Sequence, residues 1–198
     1  MKKTVMIALA ILLAATSVNA QNGYDSKHEV AFGYGMFSNS QIFDALSTYV
    51  ATEAGVTFSN AKYNGSLAVE YLHRVNNWFG YGGEFVYRSS SMDFSTIEGV
   101  QKEGTSTSNY FTLMPTVKFD WLRTKYFGLY SKIALGISMY SWQNVYLDGR
   151  DTQSNSTLML NFQASVLGIE AGLPNLRVYL EGGMGEQGTA VFGLRYKF

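Results

Sequence analysis

Ala190-Val191-Phe192-Gly193-Leu194-Arg195-Tyr196-Lys197-Phe198 alternates without a break. Successive side chains of a strand point to opposite faces of its sheet. Ala190, Phe192, Leu194, Tyr196 and Phe198 therefore share one face, and Val191, Gly193, Arg195 and Lys197 share the other. One face is apolar and aromatic; the other carries charge. A strand of this kind can close a soluble sandwich or a membrane barrel, so the rest of the chain has to decide.

Working outward from this stretch, seven further segments repeat its period. Residues 28–37 set Val30, Phe32, Tyr34 and Met36 against Glu29, Ala31, Gly33 and Gly35. Residues 63–75 set Tyr63, Leu67, Val69, Tyr71 and His73 against Asn64, Ser66, Ala68, Glu70 and Arg74. The alternation recurs over 78–90, 109–121, 126–143, 157–173 and 176–185. Pro115 has no N–H for a ladder and predicts a bulge or a missing rung. The phase of 157–173 slips by one residue near Val166-Leu167, which predicts a bulge there. Between the first two strands the period changes. Ile42, Phe43, Leu46, Tyr49 and Val50 follow helical spacing, with Ser40 as a candidate N-cap, so residues 40–50 read as a short amphipathic helix in a long loop.

Placing every apolar face outward puts Glu29, Glu70, Arg74, Glu84, Arg88, Lys118, Asp120, Lys132, Glu170, Arg177, Glu181, Arg195 and Lys197 inside. A charge on the lipid face at the bilayer midplane costs about 2–4 kcal/mol, so an uncharged outer face is what a membrane would select. A lipocalin-like soluble barrel would show the reverse pattern. Lipid also forbids open sheet edges, which demands closure. Short turns at 76–77, 123–125 and 174–175 alternate with longer polar segments, the asymmetry of outer-membrane barrels. Aromatic residues gather near both strand ends, as interfacial girdles do. The expected fold is an all-β, eight-stranded, antiparallel up-and-down transmembrane barrel with a short helix in its first extracellular loop.

The chain has 198 residues, enough for one domain, and no Cys, which excludes disulfides, thiolate metal sites, a cysteine nucleophile and a lipoprotein anchor. Residues 1–20 read as a signal peptide, with Lys2 and Lys3 ahead of an apolar run and Val18-Asn19-Ala20 before the cut. That run is too short to span a bilayer as a helix. Residues 21–198 are then the barrel. Losing two of 15 basic residues against 15 acidic leaves a slight negative charge, which gives no footprint for nucleic acid.

The signal, eight strands, inner charges and terminal Phe198 resemble small outer-membrane barrels of the OmpA transmembrane-domain and OmpX type. His28-Glu29-Val30, Tyr34-Gly35, Leu113-Met114-Pro115, Val117-Lys118-Phe119 and the closing Phe192–Phe198 stretch also resemble uncharacterised outer-membrane barrel proteins of Bacteroides-type bacteria. The resemblance implies an outer-membrane address in a Gram-negative cell, a bilayer and lipopolysaccharide as surroundings, and a monomer. It implies that Phe198, with Tyr196, is the signal read by the barrel-assembly machinery. It carries no tethering role, since the sequence lacks the peptidoglycan-binding domain of full-length OmpA.

The inner face suggests a luminal charge network of Glu70, Glu84, Lys118, Lys132, Glu170, Glu181 and Arg195 at similar depth, paired because an unpaired buried charge costs several kcal/mol. The functional expectation is a structural or surface-interacting protein with a plugged lumen and no catalysis. Two alternatives stand beside it. Some barrels of this size modify lipid A with a His, a Ser and an acid; here His28 and His73 fall at the opposite end from Ser47, Ser89 and Ser91, beyond the reach of a general base. A narrow pore or uptake accessory is the other. Asp44, Glu53, Asp93, Glu98, Glu103, Asp148, Asp151 and Glu186 are expected on the exposed rim. Asp148 and Asp151 lack the ligand density of a calcium loop, so neither metal nor cofactor is expected. The apolar stripe of the loop helix must be covered by the barrel mouth, the outer leaflet or a surface partner.

Overall fold

The computed structural model describes residues 26–53, 55–96 and 102–198; the 1–20 segment and Glu98 lie outside them. The elements run β1 (His28–Met36), α1 (Asn39–Glu53), β2 (Val56–Tyr63), β3 (Ser66–Arg74), β4 (Phe79–Thr96), β5 (Gly104–Arg123), β6 (Phe127–Tyr146), β7 (Gln153–Gly172), β8 (Leu176–Gly185) and β9 (Ala190–Lys197). Every pairing is antiparallel. Each strand pairs with the next in sequence, except that β2 and β3 both lie along β4. Tyr63 faces Ser90 and Leu67 faces Tyr87, so β2 and β3 are two halves of one strand, broken at Asn64-Gly65. The ring closes where β1 pairs β9 from Glu29↔Lys197 to Met36↔Ala190. The result is an eight-stranded closed barrel, which leaves no open edge along the ring.

The pleat sorts the side chains as the alternation requires. All thirteen strand charges assigned to the inner face are buried. The outer wall is aliphatic and aromatic: Phe32, Val69, Phe85, Leu113, Ile133, Leu160, Val178 and Leu194 all stand exposed on it. Among the described residues, buried apolar side chains form two small clusters, Ala68, Val86, Met114 and Ala134 in one and Ala31, Tyr179 and Val191 in the other. The interior is therefore held by polar contacts, the inverse of a soluble core.

Local irregularities fall where the chain demands them. The β5–β6 ladder runs to Leu113↔Ile137 and resumes at Thr116↔Ala134 with register unchanged, so Pro115 costs a rung and makes no bulge. The β7 slip is a bulge: Ser165↔Gly183 is followed by Leu167↔Gly182, and Val166 and Leu167 both point outward. A side chain on Gly35 would collide with the Gln187 carbonyl, and that clearance lets the β8–β9 connection fold inward.

Several boundaries differ from the sequence reading. Residues 56–63 form β2, and strand pairing continues through Thr96, Gly104, Tyr146 and Gln153, where polar loops were expected. Strands β4 to β7 hold 18 to 20 residues against 8 to 10 for β1, β3, β8 and β9. They project past the mouth as a wall on one side. The helix spans Asn39–Glu53 rather than 40–50, and its cap is Ser38, not Ser40. Ile42 N donates to the Ser38 carbonyl at 3.1 Å, Gln41 N to Ser38 Oγ at 3.3 Å, and Phe37 N to Gln41 Oε1 at 2.9 Å, an exchange close to a capping box.

Candidate functional site

Among the described residues, ion pairs join twelve charged side chains of the lumen into one network. Arg195 is its hub. Its guanidinium reaches Glu70 at 2.8 Å, Glu170 at 2.9 Å, Glu29 at 3.6 Å and Glu181 at 3.7 Å. It lies 4.7 Å and 4.9 Å from the ring centres of Tyr130 and Tyr179, a double cation–π seat. Toward the mouth, Lys132 gathers Glu70, Glu181 and Glu84 at 2.7, 3.1 and 3.3 Å. Toward the end with the short turns, Lys118 meets Glu29 at 2.9 Å, and Asp120 and Glu170 at 3.5 Å. Arg177 holds Glu170 at 2.7 Å, Arg74 holds Asp120 at 2.5 Å and pairs with Glu29, and Lys197 pairs with Glu170.

All seven residues read from the sequence as a luminal set lie in this network. Glu29, Arg74, Asp120, Arg177 and Lys197 belong to it as well; they alternate inward too, but counting from the short turns did not group them with the seven. Long Arg and Lys stems span the rows that strand counting keeps apart.

A second polar centre sits at the mouth. Ser40, Asp44, Thr48 and Ala51 recur at helical spacing, and this narrow stripe of α1 turns inward. Asp44 accepts hydrogen bonds from Tyr110 Oη at 2.6 Å and Ser90 Oγ at 2.7 Å, and lies 2.8 Å from Arg88 Nη2. Ser40 N donates to Glu186 Oε2 at 3.1 Å, Asn39 Nδ2 to Asn161 Oδ1 at 3.0 Å, and Asn161 Nδ2 to Glu186 Oε2 at 2.8 Å. Phe43 meets Tyr140 edge-on at 5.8 Å, and Tyr140 stacks on Tyr110. The β8–β9 connection descends beside the helix. Gln187 is buried, donates to Glu84 Oε2 at 2.8 Å and accepts from Lys132 Nζ at 2.9 Å, which ties the mouth to the network below.

Two expectations are corrected here. Asp44 and Glu186, read as solvent-exposed rim charges, are 4% and 0% exposed. The lumen is polar, so an acid arriving on a loop finds its partners inside. The apolar stripe of α1 does not cap the barrel mouth: Ile42, Leu46, Tyr49 and Val50 are 60–64% exposed, and Phe43 alone of the stripe reaches the wall, at Tyr140, because the opposite face of the helix makes the seat. Two of the remaining rim acids are held by near neighbours. Asp93 meets Lys102 at 2.7 Å, Asn60 and Thr105; Asp148 meets Arg150 at 2.6 Å.

At the opposite end, Phe198 and His28 exchange backbone hydrogen bonds at 2.9 and 3.0 Å across the β9–β1 seam, and Phe198 stacks on His28 and on Tyr196. The side-chain hydrogen bond of His28 is to Tyr71 Oη at 2.8 Å, and His73 meets the rings of His28 and Tyr81. Neither imidazole faces a serine in these contacts.

No known protein family matches the chain, and no curated protein is similar to it. Two solved structures of Ail, the attachment invasion locus protein of Yersinia pestis, are similar in fold. One is the complex with the heparin analogue sucrose octasulfate, at 15% identity and a TM-score of 0.49; the other is at 15% identity and 0.47. Each comparison covers 87% of this chain and 97% of that chain.

Proposed function

We propose that this chain is an integral outer-membrane barrel with a lumen plugged by its own charges, which acts at the cell surface and not as a catalyst or an open pore. The observation that supports the reading is the twelve-residue network under a helix seated by its polar face. An eight-stranded barrel has room only for its own side chains, and here they are locked to one another across it. Purified barrel in a planar bilayer should show no steady conductance; large, stable, porin-like steps would sink this reading. Cell-envelope fractionation should recover the protein with the outer membrane, and lipid A mass spectra should be the same with and without the gene.

The lipid-modifying alternative needs a base beside a nucleophile. Both histidines sit with aromatic rings at the end opposite the mouth, which gives that chemistry no support. The surface reading draws instead on the helix. A Leu46→Cys variant should react readily with a water-soluble maleimide on whole cells, whereas Ser40→Cys, 2% exposed in the seat, should stay protected. Equal protection at both positions would mean that the apolar stripe is buried in the leaflet.

The assembly role of Phe198 rests on its resemblance to the terminal aromatic of these barrels. Deleting Phe198 also removes two seam hydrogen bonds and a ring from the β9–β1 closure. The deletion should lower the amount of heat-modifiable protein in the outer membrane severalfold; an unchanged amount would refute the role.

A further inference from the structure

The sequence contains two histidines in all, and the fold places them directly opposite each other. His28 opens β1 and His73 stands near the end of β3, paired Cα to Cα in the antiparallel ladder. Both are half-buried on the outer face, at the end of the barrel away from the helix. Side chains directly opposite on one face have Cβ atoms about 4.5–5.5 Å apart. Here the two ring centres are 5.0 Å apart, tilted by 49°.

The surroundings hold both rings in place. His28 Nδ1 is 2.8 Å from Tyr71 Oη, Phe198 stacks on the His28 ring at 5.5 Å, and Tyr81 packs edge-on against His73 at 5.6 Å. An imidazole that binds a metal through one nitrogen commonly gives its other N–H to an oxygen that fixes the ring. In the tautomer that donates Nδ1–H to the Tyr71 hydroxyl, His28 carries its lone pair on Nε2, on the side chain adjacent to His73.

The geometry points to a two-imidazole chelate. His28 and His73 together take one divalent transition-metal ion of the Cu(II), Ni(II) or Zn(II) kind. Imidazole nitrogen suits these ions and does not suit calcium or magnesium, which want oxygen. No third histidine, acid or cysteine joins the pair among the described residues, so water fills the remaining positions and the ion exchanges freely. Bound there, it staples β1 to β3 beside the β9–β1 seam. The inference is independent of the plugged-lumen reading, since the site is on the outer wall.

The test uses the mature barrel folded in detergent without a polyhistidine tag, titrated with Cu(II) and read by electron paramagnetic resonance. One ion per chain with superhyperfine splitting from two nitrogens is expected, with Cu(II) bound more tightly than Ni(II) or Zn(II). His73→Asn should reduce the pattern to one nitrogen and weaken binding at least tenfold. Tyr71→Phe should weaken binding about tenfold while keeping two nitrogens. A wild-type spectrum showing one nitrogen or none overturns the site without reference to any variant. So does an affinity that survives unchanged in the His28→Asn/His73→Asn double variant, checked as folded by its heat-modifiable migration.

Discussion

Replacing Arg195 by Ala should cost the folded barrel about 3–5 kcal/mol, the range seen when one partner of a buried charge group is removed. Four carboxylates converge on this guanidinium, and two tyrosine rings flank it. Without it, Glu70, Glu170 and Glu181 lose their shared counter-charge. Lys132 and Lys118 remain, but neither spans both halves of the network as Arg195 does. Arg195→Lys should recover only part of the loss, because an ammonium keeps the charge but not the fork that reaches several acids at once. Urea unfolding in lipid vesicles, followed by tryptophan fluorescence, measures the difference. A variant within about 0.5 kcal/mol of wild type, the scale of an ordinary surface substitution, would show that the network is screened by water and holds nothing together. The same measurement should place Lys132→Ala next in severity, since it exposes Glu70, Glu84 and Glu181 to one another.

Asp44→Ala should release the helix and leave the barrel standing. Among the described residues Asp44 is the one carboxylate within 4.0 Å of Arg88, whose side chain is wholly buried. The substitution also removes the acceptor for Ser90 and Tyr110. A buried cation without its partner costs about 3–5 kcal/mol, and undocking α1 is the available relief. Because the loss falls on one segment, it should appear as local opening rather than global unfolding. Amide exchange over residues 39–53 should accelerate about a hundredfold, with exchange in β4 to β7 little changed. Single-channel recordings should then show brief openings absent from the wild type, if the helix contributes to the closed mouth. Unchanged exchange across α1 would mean that Asn39, Ser40 and Glu186 suffice to hold it. Asp44→Asn, which keeps the shape and one acceptor, should lie between the two.

The barrel itself was legible because lipid imposes a simple rule on the sequence. A wall with hydrocarbon on one side and a polar lumen on the other requires strict alternation, and Ala190 to Phe198 obeys it at every position. The Val166-Leu167 slip and the Pro115 interruption were visible for the same reason: each breaks a regular period. Past the apolar band of the wall that pressure disappears. Ser91, Thr105-Ser106-Thr107-Ser108 and Ser154-Asn155-Ser156 have no apolar face and read as loop. They are strand because their neighbours in the ladder continue. With polar surroundings on both faces, nothing marks the period, and backbone pairing alone decides.

By itself, then, the sequence determined the number of strand positions, which face of each forms the outer wall, and that thirteen charges must share a narrow interior. Those follow from local periodicity and the cost of charge in hydrocarbon. The tertiary structure decided which charges meet. Arg195 is joined to Glu70 across 125 residues and Lys118 to Glu29 across 89, distances over which spacing carries no signal. It also decided how α1 sits. An apolar stripe ordinarily marks the buried side of a helix, but this interior is ionic, so Ser40, Asp44 and Thr48 turn inward and Ile42, Leu46 and Val50 face out. Burial follows the chemistry of the cavity a segment meets, and that cavity exists only once the ring has closed.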